Sequence, residues 1–191
     1  MTAHHLLLSS QLAFAALAMG TSVAVAQEAP QAAPLAHERY RLANGLEVIL
    51  APDRSAPQVV VDIWYRVGSK DERRDRTGFA HLFEHLMFMG TERAPNFDVI
   101  MEEAGGANNA STSSDRTNYF DWGPSSMLPT LLWLEADRLE RLDQDMTQDK
   151  LEAQRGVVLN EYRQNYENRP YAKAELAMSQ LLYPPQHPYH I

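Results

Sequence analysis

Cysteine is absent from this 191-residue chain. No disulfide framework or thiolate metal site is therefore possible, and any bound metal has to be held by histidine and carboxylate. An excess of basic residues is missing too: 25 Asp and Glu against 17 Lys and Arg leave a formal charge of −8. That balance argues against a nucleic-acid footprint and against a polybasic membrane surface. No internal repeat is visible, and no apolar run is comfortably long enough to span a membrane. The length allows one domain with a real core and is too short for two large ones.

The N-terminus reads as a targeting segment. Leu6 to Ala18 form an apolar run interrupted by Ser9, Ser10 and Gln11, and Ala24-Val25-Ala26 gives a small-x-small cleavage pattern before Gln27. His4 and His5 stand where Lys or Arg is usual. The expected organisation is a signal peptide over 1–26, a Pro- and Ala-rich linker over 27–36, and one lobe over 37–191. Export to the periplasm or beyond the cell is the expected destination. Because no Asp, Glu, Lys or Arg precedes the cleavage site, the mature protein keeps the whole charge of −8.

Asn44-Gly45 between Glu38–Ala43 and Leu46–Ala51 predicts a hairpin. Val59 to Val67 is nearly continuously apolar, as an inner strand would be. Ser69 to Arg76 is polar and charged and reads as a solvated loop. Residues 78–89 are apolar almost all round, which predicts a buried helix. Pro95 to Ala104 predicts a second helix capped by Gly105-Gly106. Two short strands, Ala107–Thr112 and Thr117–Trp122, flank a polar turn. Ser126 to Leu142 predicts an amphipathic helix on Leu128, Leu131, Leu132, Leu139 and Leu142. Thr147 to Asn168 predicts another, stopped near Pro170. Strands and helices come in separate groups, so the expected class is α+β, an antiparallel-rich sheet layered against helices.

Within the helix at 78–89, GFAHLFEHLMFMG contains His81, Glu84 and His85 in the spacing H-x-x-E-H, the inverted zinc-protease motif. At 100° per residue the three fall within about one third of the helix circumference. Two imidazoles can then ligate a metal while the carboxylate serves as general base. A third protein ligand is needed, and Glu161 in GVVLNEYRQ is the candidate, its neighbours Val157, Val158 and Leu159 suggesting an inward turn. A surface glutamate on an amphipathic helix is an equal alternative at this point. His37, His187 and His190 read as bystanders.

The chain resembles the N-terminal lobe of the inverted-motif zinc peptidases of the pitrilysin and insulysin family, which includes mitochondrial processing peptidase. The resemblance rests on LANGLEVILAPD, VVDIWYRVGSKDE, TGFAHLFEHLMFMGTE, GGANNASTSSDRTNYF and EAQRGVVLNEYRQNYENRPY. It implies one Zn2+ per chain on His81, His85 and Glu161, with Glu84 as general base. It also implies an edge strand at Asn109 and Ala110 on which peptide substrate adds as a further strand; a plain solvent-facing edge is the alternative there. The implied activity is metalloendopeptidase hydrolysis of peptides or unfolded segments.

Two departures accompany it. Many family members carry a second glutamate two helical turns before the metal-binding one, supporting the site from behind; here that position is Gln154. Gln keeps hydrogen-bonding capacity without charge, so a weaker or retuned site is expected. The family also pairs this lobe with a second homologous lobe, in the same chain or in a partner, and this sequence is expected to be a truncated half of that two-lobe enzyme, possessing little activity alone. A non-catalytic relative acting as a binding or scaffold subunit is the alternative. Such relatives lose the motif, and here it is intact.

Overall fold

A computed structural model describes residues 35–190. The expected signal peptide, and the linker up to Pro34, lie outside the described residues. The chain divides into two units, one ending at Pro52 and the other spanning Asp53–Ile191.

In the first unit, β1 (Glu38–Arg41) and β2 (Glu47–Leu50) pair antiparallel, with Arg41 opposite Glu47. The connection is longer than a two-residue turn. Leu42 N donates to Leu46 O at 2.8 Å and Gly45 N to Leu42 O at 2.9 Å. This leaves a three-residue loop whose last position, Gly45, has φ 90°, a left-handed conformation that glycine adopts without a Cβ penalty.

The second unit is built on a three-stranded antiparallel sheet. Its strands are β3 (Gln58–Tyr65), β4 (Ala107–Thr112) and β5 (Thr117–Pro124), in the order β3-β5-β4. The helices are α1 (Phe79–Leu86), α2 (Phe97–Glu103), α3 (Leu128–Asp145), α4 (Gln148–Tyr162) and α5 (Ala172–Leu182). This is the α+β arrangement expected from the grouping of elements. None of these helices is long and apolar enough to cross a membrane.

One face of the sheet meets the helices. Val61, Phe97, Met101, Met127, Leu131 and Leu134 form the core, with Val59 and Ile63 packed against it. Alternation along β3 puts Val59, Val61 and Ile63 on that face and Val60 and Trp64 on the other, where they are 65% and 60% exposed. Among the described strands β3 lies at an edge of this sheet, and its continuous apolar run does not mark an inner strand. The middle strand is β5, which is buried at most positions. Helix α2 ends in a double turn of hydrogen bonds: Gly106 N to Met101 O and Gly105 N to Glu102 O, with Gly105 at φ 77°. That is the glycine-dependent helix stop read from the sequence.

Helix α3 turns a different face inward from the one its leucines suggested. Leu128, Leu132 and Leu139 are exposed, whereas Leu131, Leu134, Glu135, Asp137 and Arg138 are buried. The stripe 131, 134, 135, 138 follows helical spacing, but half of it is charged and so escapes a count of apolar residues. Helix α4 begins at Thr147, whose side chain accepts from Lys150 N at 3.3 Å. A π-helical stretch, Arg163–Glu167, extends it toward Pro170. Helix α5 was not anticipated.

Candidate metal centre

Helix α1 is positioned at its start by a residue from the polar segment before it. Glu72 accepts from Gly78 N at 2.8 Å through Oε2 and from Ala80 N at 2.6 Å through Oε1. A carboxylate there satisfies two of the unpaired N–H groups of the first turn and complements the helix dipole. The segment is itself pinned, since Ser69 N donates to Ser113 O and Lys70 N to Ser114 O. Part of the expected solvated loop is thus a bracket that ties α1 to the β4–β5 turn.

The helix is not buried all round. Leu86 faces the interior, but Phe79 and Phe83 are exposed, and His81, Glu84 and His85 are half-buried. The reason is that α1 has packed neighbours, α4, β4 and β5, on only part of its circumference. The interior position expected for the motif is corrected to a cleft wall, which leaves the site accessible to water.

Across that cleft, α4 lays Leu151, Gln154, Val158 and Glu161 toward α1 at helical spacing, all of them half-buried. No residue of α4 is fully buried, and Val157 and Leu159 are exposed. Glu161 therefore reaches the site from a half-open helix face and not from an inward apolar turn. Its Oε2 lies 3.5 Å from His81 Nε2 and 3.4 Å from His85 Nε2. The two Nε2 atoms are 3.2 Å apart, with ring planes at 80°. Tetrahedral zinc with ligand bonds of about 2.1 Å places its donors roughly 3.4 Å from one another. Three donors at 3.2, 3.4 and 3.5 Å fit one face of that tetrahedron, and among the described residues no fourth His, Asp or Glu joins them. Two imidazole nitrogens and a carboxylate oxygen converging on one point are the donor types that zinc takes.

Glu84 lies between the two histidines in sequence, and its Oε2 accepts a hydrogen bond from Thr112 Oγ1 at the end of β4. A cavity of about 270 Å³ is lined by His81, Glu84, His85, Phe88, Asn109 and Glu161. Asn109 thus borders the site. Its Oδ1 accepts from Ala110 N at 2.8 Å, and β4 pairs with β5 on one side alone among the described strands. Gln154 donates through Nε2 to Met89 Sδ at 2.7 Å instead of reaching a ring nitrogen of either histidine.

Sequence reasoning missed Thr112, Phe88 and Glu72. It also missed a buried charged cluster behind the site. Arg138 donates through Nε to Glu135 Oε2 at 3.0 Å and pairs with Oε1 through Nη2. Its guanidinium carbon sits 4.5 Å from the ring of Tyr119, 4.9 Å from Phe97 and 5.6 Å from Phe88. Asp121 is fully buried beside this pair, with its carboxyl next to that of Glu135. Burial raises the Asp121 carboxyl above its ordinary range. Burial, reinforced by Asp121, pushes Glu135 up to about 8. Burial also raises the Tyr119 phenol. Two acids and one guanidinium in an apolar setting retain a proton. Among the signals in the sequence, only the placement of Glu135 and Arg138 in one stripe with Leu131 and Leu134 pointed to this cluster.

Residues 47–183 match the family model for insulinase (Peptidase family M16). The chain is 36% identical over 157 residues to the zinc protease PqqE of Helicobacter pylori, covering 81% of this chain and 35% of that protein. It is 33% identical over 125 residues to the mitochondrial-processing peptidase subunit beta of Bos taurus, covering 64% and 25%. A solved protease structure from Helicobacter pylori superposes with TM-score 0.75 at 36% identity, over 81% of this chain and 37% of that one. Pitrilysin superposes at TM-score 0.65 and 25% identity, over 81% and 16%. The chain thus spans about a third of the length of the first of these relatives. With the family match covering most of the chain, and with relatives named as zinc proteases, this chain belongs to the insulinase family of peptidases, M16.

Proposed function

We propose that this chain is the catalytic lobe of a zinc-dependent metalloendopeptidase acting on peptides or unfolded protein segments. The observation that carries the proposal is the convergence of His81, His85 and Glu161 at donor separations of 3.2–3.5 Å beside Glu84. His81 and His85 would bind one zinc ion through Nε2 and Glu161 through a carboxylate oxygen. Bound there, zinc supplies Lewis acidity toward the attacking water and the scissile carbonyl.

The chain's own residues do the rest. Glu84 takes the proton of the attacking water and returns it to the leaving amine. Asn109, which lines the cavity, and Ala110 lie on a strand whose far edge is unpaired among the described strands, so an extended peptide would pair there, its scissile bond carried toward Glu84. A second homologous lobe, in the same polypeptide or a partner subunit, would close the chamber, in keeping with the 35% and 37% of its relatives that this chain covers. Residues 1–26 would serve as a cleaved export signal and direct the lobe to the periplasm or outside the cell. N-terminal sequencing of secreted protein starting at Gln27 is the expected result.

The test combines metal analysis with a quenched-peptide assay on the full-length protein. One zinc per chain is expected, with cleavage that a chelator stops and that Glu84→Gln abolishes while zinc is retained. A wild type without zinc, unchanged by His81→Ala, would refute the metal site. Zinc without turnover in the complete enzyme would refute the peptidase.

A further inference from the structure

We propose that Thr112 is a positioning residue for the general base, anchoring one oxygen of Glu84 so that the other is the one that takes and returns the proton. The inference rests on the peptidase reading above and adds a residue to it. Thr112 Oγ1 donates to Glu84 Oε2 across the interface of β4 and α1. The direction of that bond follows from its neighbours. Thr117 Oγ1, 3.4 Å from Thr112 Oγ1, donates its own proton to Val67 O at 3.1 Å. An ionised carboxylate can only accept. Thr112 therefore directs its proton at Glu84.

The anchor is rigid where the base is not. Thr112 is the last residue of β4, opposite Thr117 in the ladder, and its β-branched side chain is stiff at χ1. Glu84 reaches the cavity through three rotatable torsions, χ1 and χ2 with alternative staggered wells and χ3 broad. Holding Oε2 restricts that freedom. No hydrogen bond among the described residues reaches Oε1, and Glu84 lines the cavity. The proton taken from water can thus go to Oε1 and leave from it, with the Thr112 bond intact in both states. The same strand carries Asn109 and Ala110, so β4 would align the peptide and orient the base together.

The test uses the full-length protein. Thr112→Val removes the hydroxyl at nearly constant volume, Thr112→Ser keeps it, and Thr112→Ala serves as a second deletion should valine disturb β4. Deleting the hydroxyl is expected to lower kcat about ten-fold or more, with KM and zinc content as in wild type and with Thr112→Ser close to wild type. In metal-free protein, a thermal-unfolding double-mutant cycle between Thr112→Val and Glu84→Ala, each of which removes one partner of the bond, is expected to show coupling. Unchanged kcat, a serine variant as impaired as valine, or an additive cycle would each overturn the proposal. A wild type that binds zinc and shows the coupling but has no turnover would instead remove the peptidase reading, and the positioning role would go with it.

Discussion

Replacing Asp121 by asparagine isolates the energetics of the buried cluster, because it removes one negative charge at almost constant shape. In the folded protein Asp121 and Glu135 share one guanidinium, Arg138, in an interior where Asp121 is 0% exposed and Glu135 5%. Glu135 is raised from 4.5 to about 8. The folded state therefore holds a proton that the unfolded chain releases above about pH 4.5. Stability from this source is full below that pH, declines as pH rises, and is lost once pH passes about 8. Linkage sets the slope near 1.4 kcal/mol per pH unit inside the window, so a loss of a few kcal/mol accumulates across it. Asp53 and Asp71, which local hydrogen bonds lower, act in the opposite sense and only below about pH 4. In Asp121→Asn the amide can donate to Glu135, which then ionises as a simple pair with Arg138. The expected result is near-equal stability at pH 5, a flatter profile from pH 5 to 8, and a variant more stable than wild type at pH 8.5. Urea unfolding of metal-free protein at intervals of pH measures this without contributions from pH-dependent metal affinity. A wild-type stability that stays level or rises from pH 5 to 8, or a variant less stable at pH 8.5, would refute the shared proton.

Two further outcomes follow from the site's supports. Glu72→Gln weakens the carboxylate cap on Gly78 and Ala80 and is expected to cost about 1 kcal/mol of stability, read as a lower urea midpoint at unchanged slope; an unchanged midpoint would show that α1 does not depend on it. Gln154→Glu gives up the bond to Met89 for a carboxylate near the metal ligands and is expected to tighten zinc about ten-fold. A competition titration with a chromophoric chelator measures it, and no change or a weaker site would count against carboxylate support there.

Local signals were legible where one element suffices to write them. The H-x-x-E-H spacing located α1 because ligand geometry on a single helix is a matter of periodicity. Gly45 and Gly105 marked a hairpin and a helix end because a left-handed backbone selects glycine. The Thr147 start, the Pro170 stop and the two strands around the 113–116 turn were equally visible. The run at Val59–Val67 misled because apolar residues on both faces of a strand do not say which face is covered. The leucines of α3 misled because a charged stripe, Glu135 and Arg138, took the inward side. Helix α1 looked buried because its apolar residues encircle it, yet its packing partners do not.

What the chain determined by itself is the donor chemistry: with no cysteine, a metal could be held only by His81, His85 and a carboxylate, and Glu84 stood one residue from a ligand. Which carboxylate completes the set was open, since a glutamate on an amphipathic helix looks alike at a surface and at a site. Only tertiary structure brings Glu161 to 3.4–3.5 Å from both imidazoles, which makes these three residues a group that could hold a metal ion. It also decided the Thr112 bond to Glu84 and the burial that raises the carboxyls of Asp121 and Glu135. These are contacts between residues far apart in sequence, whose energies depend on burial and mutual distance, and neither quantity exists until the helices and the sheet have packed.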